Sequence, residues 1–588
     1  MTAPNWNLES ILPGGLVGEP YRAVVQALRD ELDALVQQTS ALPPLPEGVE
    51  QFSESLQALY AIAGRTGPVS LLAHCYTCDN TRDRSAQNES STVRALWSRY
   101  RLAWIPLSDQ LAHCSEAALE VLLERPELAV MRPTLERIRA QAPLMLPRAE
   151  QALVTQLSRD SIHAWSDHYN RVSGRLVVSL ADGRELSVGR AKNLLGGSDA
   201  SERTMALEGL DAAWGTVAED CAVALTHIVG TRMTLNTRRG VDELADSLSN
   251  NRMRRESLEA MLEAARRAGP LLTRYLDIKA RLLGKEKVGF EDLSAPVGTV
   301  SEMSWDAAEA FIQTHFHSHH PELAALAQRA FSERWIEAED RDHKRQGAWC
   351  GRVGDRSGAS RIFMTFGETF RSTTTLAHEL GHAFHNWVLR DAHPAQNRAP
   401  STLAETASIF AENIIRDAAL AAAQDRSSRL AMLDMRLAAG ASFLMNLPFR
   451  FYLEQDLYAA RAEGLLDPDW LSERTVHWQK VCYRNHLSSW YPHFWAEKLH
   501  FYMSSQAFYN YPYTYGYLFS SLVYQRALAE GAGYHTQYVA LLQQTGWQDA
   551  EPLAAEQLGI DLTSPDDWYG GIAPLEADLA AFEQAAGD

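Results

Sequence analysis

Apolar residues recur at three-to-four spacing through "YRAVVQALRDELDALVQQ" (21–38), "ESLEAMLEAARRAGPLLTRYLDIKARLL" (256–283) and "ELAALAQRAFSERWIEAED" (322–340). That is the period of a helix, in which residues turn by about 100° each and one face collects every third or fourth side chain. It predicts helices over those three stretches and a mainly helical chain. Strand signals are few. "GRLVVSLADGRELSVG" (174–189) holds two β-leaning runs around Asp182-Gly183, a dipeptide suited to a tight hairpin turn. "GAWCGRVGDRSGASRIFMTF" (347–366) reads as two more strands joined by a glycine-rich turn. The expected class is mainly α with a small β component, α+β. The proline-rich "LPPLPEG" (42–48) reads as a linker between helices. A division near residue 190 separates an amino-terminal helical lobe with its hairpin (1–190) from a second, larger domain (191–588).

Composition narrows the class without fixing the function. With 588 residues and 46% hydrophobic content the chain can bury a large core, and no repeat of fixed period points to a solenoid. The net charge of −19, spread along the chain, repels phosphate backbones and makes nucleic acid an improbable partner. The amino terminus lacks the basic start and apolar stretch of a signal peptide, and no uninterrupted apolar run has the length of a membrane span. Six cysteines are too few for a disulfide scaffold in a chain of this size, which agrees with a reducing, cytoplasmic compartment. "HCYTC" brings His74, Cys75 and Cys78 together. A C-x-x-C pair can serve zinc or redox chemistry, but no second pair and no surrounding βαβ pattern accompany it, so two half-buried helical thiols are expected.

The densest chemistry lies in "TLAHELGHAFH" (375–385). On a helix His378 and His382 share a face one turn apart, and two neutral imidazoles at that spacing supply two of the three protein ligands of a catalytic zinc. Glu379 between them is placed to act as the base for the attacking water. Ser372 and the threonines at 373–375 offer helix-start chemistry, and Gly381 is expected to leave the backbone uncovered beside the metal. A metzincin would need Gly at 385 and His at 388, where this chain has His385 and Val388, so that family is excluded. Three ligands stacked along one helix cannot converge on one tetrahedral centre, so His385 is expected to support or pack. After Pro400, Ser401 can cap a further helix in which Glu405, Ser408 and Glu412 fall on one face. Glu405 is the expected third ligand, and Glu412 an acceptor that orients a histidine. One zinc ion per chain follows.

These stretches resemble the thimet oligopeptidase and oligoendopeptidase F group of zinc metallopeptidases. "TLAHELGHAFH" followed by "LAETASIFAEN" resembles its pairing of a zinc helix with a glutamate helix. "KRQGAWC" is similar to its substrate-strand segment, and "WAEKLHFYMSSQAFYNYPYTYGYLF" (495–519) to its segment of a histidine followed by tyrosines. Weaker likeness in "WNLESI" and "SERTMALEGLDAAW" extends the resemblance along nearly the whole chain. It implies a zincin-like helical bowl with a deep substrate channel and a small sheet beside the zinc helix, and an endopeptidase acting on short unstructured oligopeptides. The matching positions make His500, Tyr509 and Tyr513 the candidates for stabilising a tetrahedral intermediate. The spacing between His500 and Phe508 is longer than the family's usual form, and tyrosines stand at almost every second position of "YNYPYTYGY", so which of them faces the zinc is open. The strand "SGASRIFMTF" is expected to form the sheet edge to which an extended peptide adds. A zinc exopeptidase and a catalytically inactive peptide-binding protein are the competing readings.

Overall fold

The computed structural model describes residues 3–299, 302–345, 347–354 and 356–587. Gln346 of the "KRQGAWC" segment and Asp355 of the predicted turn lie outside the described residues.

The first helical stretch is realised almost as its periodicity predicts, in α1 (Glu19–Ser40). The proline-rich linker separates α1 from α2 (Val49–Asp79), and α3 (Arg84–His113) follows, started by Asp83, whose side chain accepts from the backbone N–H of Ser85 and Ala86. The second stretch is broken in two, Arg255–Arg267 and Gly269–Leu282. Pro270 lacks the N–H that would continue the first helix and suits the opening turn of the next. The third ends early, at Ser332. Beyond it Arg334 takes a left-handed φ of 56° and Ile336–Glu337 form a strand, β3. Trp335, Ile336 and Ala338 are all buried there, so tertiary burial overrides the helical pattern.

The predicted hairpin pairs β1 (Val177–Ser179) with β2 (Glu185–Ser187) in antiparallel register, turning at Gly183 with φ 88°. The second predicted pair forms β4 (Trp349–Arg352) and β5 (Ser360–Phe363), also antiparallel. With β3 parallel to β5 the sheet order is β3-β5-β4. β5 is therefore the central strand, buried along its whole length, and not the edge expected for "SGASRIFMTF". Because β5 is buried, its backbone N–H and C=O groups need partners along both edges, which β3 and β4 supply. Of the two outer strands, β3 is covered by the amino-terminal segment: the Ala338 N–H donates to Pro4 O at 2.8 Å and the Asn7 N–H to Arg334 O at 2.7 Å. β4 is half-exposed, and among the described residues it pairs with β5 alone.

Most of the buried apolar residues form one connected core from Trp6 to Phe582. The helical run Arg426–Glu463 is long and apolar enough to cross a membrane, yet 67% of its most apolar window is buried inside the protein, as a core helix would be. Cys75 and Cys78 sit in α2 fully buried, not half-buried, and all six cysteines are free.

Candidate active site

The histidine helix spans Phe370–Val388. Its cap is Thr369, whose hydroxyl accepts from the Ser372 N–H at 3.1 Å. Ser372, expected to open the helix, stands inside the first turn. His378 and His382 lie one turn apart with ring centroids 4.8 Å apart and planes near perpendicular.

The glutamate segment is two helices rather than one: Ser401–Ala404, then Thr406–Ala422, with Glu405 at the junction. Ser401 begins the first, behind Pro400, without supplying a side-chain cap. Glu405 is held from several sides. Its carbonyl accepts from the Ser520 hydroxyl at 3.0 Å, and its Oε2 accepts from the Ser408 hydroxyl at 2.7 Å. Gly516, on the helix Tyr511–Glu530, lies so close that a Cβ there would fall 2.6 Å from the Glu405 Cβ. Gly381 does the same for the helix pair: a Cβ would meet the Ala407 carbonyl oxygen at 2.4 Å and the Ser408 Cα at 2.6 Å. That corrects the expectation for Gly381, which admits the neighbouring helix instead of uncovering backbone beside a metal.

This packing brings Glu405 Oε2 to 3.3 Å from His378 Nε2 and 3.4 Å from His382 Nε2, and the three ligand atoms lie within 4.8 Å of one another. Among the described residues this is the group of histidine, cysteine and acidic side chains able to hold a metal ion. Behind it His378 Nδ1 lies 3.3 Å from Glu412 Oε2, which pairs in turn with Arg416. A carboxylate at that nitrogen fixes the ring and leaves Nε2 free to ligate. Burial works against charge on His378, yet its hydrogen bonds to Glu405 and Glu412 raise its proton affinity well above the ordinary value. The same surroundings favour a cation between the two helices.

Glu379 is 4% exposed and its Oε2 is buried without a hydrogen-bond partner. Burial raises its pKa, while His378 and His382 pull the other way. Such an orphaned carboxylate oxygen beside two imidazoles has room for a hydrogen bond to a small ligand such as water. The donor set of two nitrogens and a carboxylate oxygen, with that oxygen spare beside it, fits a catalytic zinc.

His385 is outside this group. It is buried, and its Nε2 lies 2.8 Å from the Thr545 hydroxyl, which itself donates to Leu542 O, so Nε2 carries the proton. Burial, with His382 nearby, pushes its pKa down to about 4.

His500, Tyr509 and Tyr513 come together in a second cluster. The His500 ring is 4.8 Å from Tyr509 and 6.0 Å from Tyr513, and the Tyr513 hydroxyl donates to that of Tyr509 at 3.2 Å. Tyr511, Tyr515 and Tyr517 are buried, whereas Tyr509 and Tyr513 are partly exposed. Tyr513 precedes Gly516 by one turn and so shares the face turned to Glu405. Burial, Tyr509 and then the Glu405 charge raise its pKa.

A cleft of about 580 Å³ opens from His382 and Asn386 toward Tyr60 and Tyr100 of α2 and α3, with Arg352 of β4 at its side. Several participants are missing from the sequence reading: Arg416 behind Glu412, Asn510 against His500, and Cys350 of β4, close enough to Glu379 for its charge to raise the thiol pKa. Arg416, at four residues from Glu412, was accessible to helix-pair reasoning. The other two depend on tertiary contacts.

Comparison with known proteins places these segments in a peptidase family. Residues 312–573 match the model of Peptidase family M3, and residues 110–177 that of Oligopeptidase F. Oligopeptidase PepF of Bacillus subtilis is 22% identical over 593 aligned residues, covering 98% of this chain and 86% of that protein. Group B oligopeptidase PepB of Streptococcus agalactiae is 24% identical, covering 84% of each. The crystal structure of oligoendopeptidase-F from Enterococcus faecium superposes with a TM-score of 0.73 at 18% identity, over 96% of this chain and 98% of that one, and shares its fold. The matched models together span more than half of the sequence, including both helices of the histidine and glutamate group and the tyrosine segment, and the chain belongs to peptidase family M3, as a member of the oligoendopeptidase F type.

Proposed function

We propose that the protein is a zinc-dependent endopeptidase that hydrolyses internal bonds of short, unstructured oligopeptides, with His378, His382 and Glu405 holding one zinc ion per chain. The observation that carries this reading is the convergence of His378 Nε2, His382 Nε2 and Glu405 Oε2 within 4.8 Å beside the unpartnered Glu379 Oε2. Zinc in such a site supplies Lewis acidity and lowers the pKa of water toward about 7.

The chain's own residues do the rest. Glu379 takes a proton from the attacking water and passes it to the leaving amine, so the scissile C–N bond breaks without releasing a charged amide. Glu412 holds His378 through Nδ1, and Ser408 holds Glu405 through Oε2. The phenols of Tyr509 and Tyr513 serve as donors for the oxygen of the tetrahedral intermediate, Tyr513 turning its O–H from Tyr509 to that oxygen as it forms, a role worth about 3 to 4 kcal/mol in comparable sites. The open side of β4 accepts an extended peptide through main-chain hydrogen bonds, which tolerates varied side chains. A cytosolic location belongs to the same proposal and is supported by six free cysteines.

The test is an internally quenched peptide blocked at both ends, incubated with the wild type and with Glu379→Gln. Cleavage by the wild type alone is expected. Trimming of free-ended peptides with no cut in the blocked one would favour an exopeptidase, and equal behaviour of both proteins would refute catalysis by Glu379.

A further inference from the structure

We propose that Asn510 is a positioning residue that fixes His500 in the tautomer protonated on Nδ1, leaving Nε2 as a bare acceptor for a main-chain N–H of the bound peptide. This rests on the peptidase reading above and changes the part His500 plays in it: an imidazole held this way cannot donate to an oxyanion, and that task falls to the two phenols.

The tautomer follows from a chain of buried hydrogen bonds. Asn510 is fully buried, and its Oδ1 lies 2.7 Å from His500 Nδ1 and 3.4 Å from Arg450 Nη1. A guanidinium has only donors to offer, so the amide atom that faces it is the oxygen. That same oxygen faces His500 Nδ1, which must then carry the proton. The guanidinium is itself fixed, since Arg450 Nε donates to Asn446 Oδ1 at 2.8 Å, and Asn446 Nδ2 donates to the Tyr483 hydroxyl at 3.1 Å. Turning the Asn510 amide over would set its NH₂ against the guanidinium and abolish the contact. In the orientation observed, Asn510 Nδ2 is buried with no partner. Leaving a buried donor unpaired is unfavourable, and the fold accepts that cost at a residue whose oxygen serves two donors.

The imidazole is also neutral. Burial, then Lys498, with Arg450 and Lys192 adding to it, push the His500 pKa down to about 3, against the opposing effect of the Asn510 hydrogen bond. The charged and titratable groups around it are Lys498 and Glu497 on its own segment, Arg450 from the helix Leu447–Glu463, Lys192 from the helix Val188–Leu194, and the phenols of Tyr509 and Tyr513. A neutral ring protonated on Nδ1 presents a lone pair at Nε2, and the one donor that a peptide main chain possesses is its N–H.

Two measurements test the assignment. The first is the ¹⁵N spectrum of histidine-labelled wild type, with His500 assigned by its loss in His500→Gln; protonated and bare ring nitrogens are well separated, so the tautomer is read directly and without reference to activity. The expected result is a proton on Nδ1, and a proton on Nε2 overturns the proposal. The second is the pH profile of kcat/KM for Asn510→Asp and Asn510→Leu. In Asn510→Asp a carboxylate facing Nδ1–H favours the imidazolium, so a new ionisation enters the acid limb that the wild type lacks. In Asn510→Leu kcat/KM falls about tenfold, the loss of one such hydrogen bond, with bound metal unchanged. An Asn510→Asp profile superimposable on the wild type overturns the proposal. The aspartate variant is nearly isosteric and carries the test should the leucine variant fold poorly. If instead Glu379→Gln cleaves as fast as the wild type, the peptidase reading fails while the spectrum still reports the tautomer.

Discussion

Glu405 is a ligand candidate because neighbouring groups hold its carboxylate, and the Ser408 hydroxyl at 2.7 Å is the contact most directly testable. Ser408→Ala leaves the helix intact and removes that hold; zinc affinity measured by competition with a chelator should fall roughly tenfold or more, the usual effect of losing a group that orients a ligand. Tyr513→Phe should lower kcat by about 10² to 10³ with little change in KM, because a donor to the intermediate acts late in the reaction; steady-state kinetics on one peptide read both. His378, Glu379 and His382 were legible in the sequence because their chemistry sits within one helical turn, and Glu405 because a helix-start signal and a carboxylate followed the loop. The function of Gly381 was not. A glycine beside a metal motif has the same letter whether it admits a ligand or, as here, a second helix.

At the scale of elements, the site exists because the helices Phe370–Val388 and Thr406–Ala422 approach closely at Gly381. In Gly381→Ala the new methyl meets backbone atoms of Ala407 and Ser408 at 2.4 and 2.6 Å, which cannot swing away as a side chain would. The helices must part, at a cost of about 1 to 3 kcal/mol, and Ser408 and Glu405 move with them. Chemical denaturation should show the loss of stability, and zinc affinity should fall in the same variant. The element boundaries show where periodicity is a sound guide and where it fails. α1 followed its pattern, whereas residues 322–340 did not, since Ile336 gains more from pairing with β5 than from extending a helix. The order of the sheet escapes the pattern for a related reason: β4 and β5 are both four residues long and each mixes apolar residues with an arginine, and which one lies outside is decided by β3 and by residues 4–7 covering it.

Across the whole molecule one more buried carboxyl makes stability depend on pH. Glu454 accepts from the Phe508 N–H at 2.6 Å, and burial raises its pKa from 4.5 to about 7. A raised carboxyl pKa means that the folded state binds the proton more tightly than the unfolded one between those values, so its contribution to stability is lost as pH rises from about 4.5 to about 7. Glu454→Gln should therefore unfold at a higher temperature than the wild type at pH 8 and at a similar one at pH 5, as read by calorimetry. Phe508, held at φ 52°, immediately precedes Tyr509, so this carboxyl stands at the start of the tyrosine segment. The division near residue 190 stands as a proposal that limited proteolysis addresses: a cut between residues 181 and 199 followed by separation of the two pieces would support independent units, and co-elution would oppose it. The helical architecture and the order of the catalytic stretches were readable from the sequence. The His500 network was not, because Asn446, Arg450, Tyr483 and Asn510 meet through packing between distant segments. The most direct test of the central claim is elemental analysis of dialysed protein by mass spectrometry for the wild type and Glu405→Ala. One zinc per wild-type chain and its loss from the variant is the predicted result; a wild type that binds no metal, or a variant that keeps the full equivalent, would contradict the account.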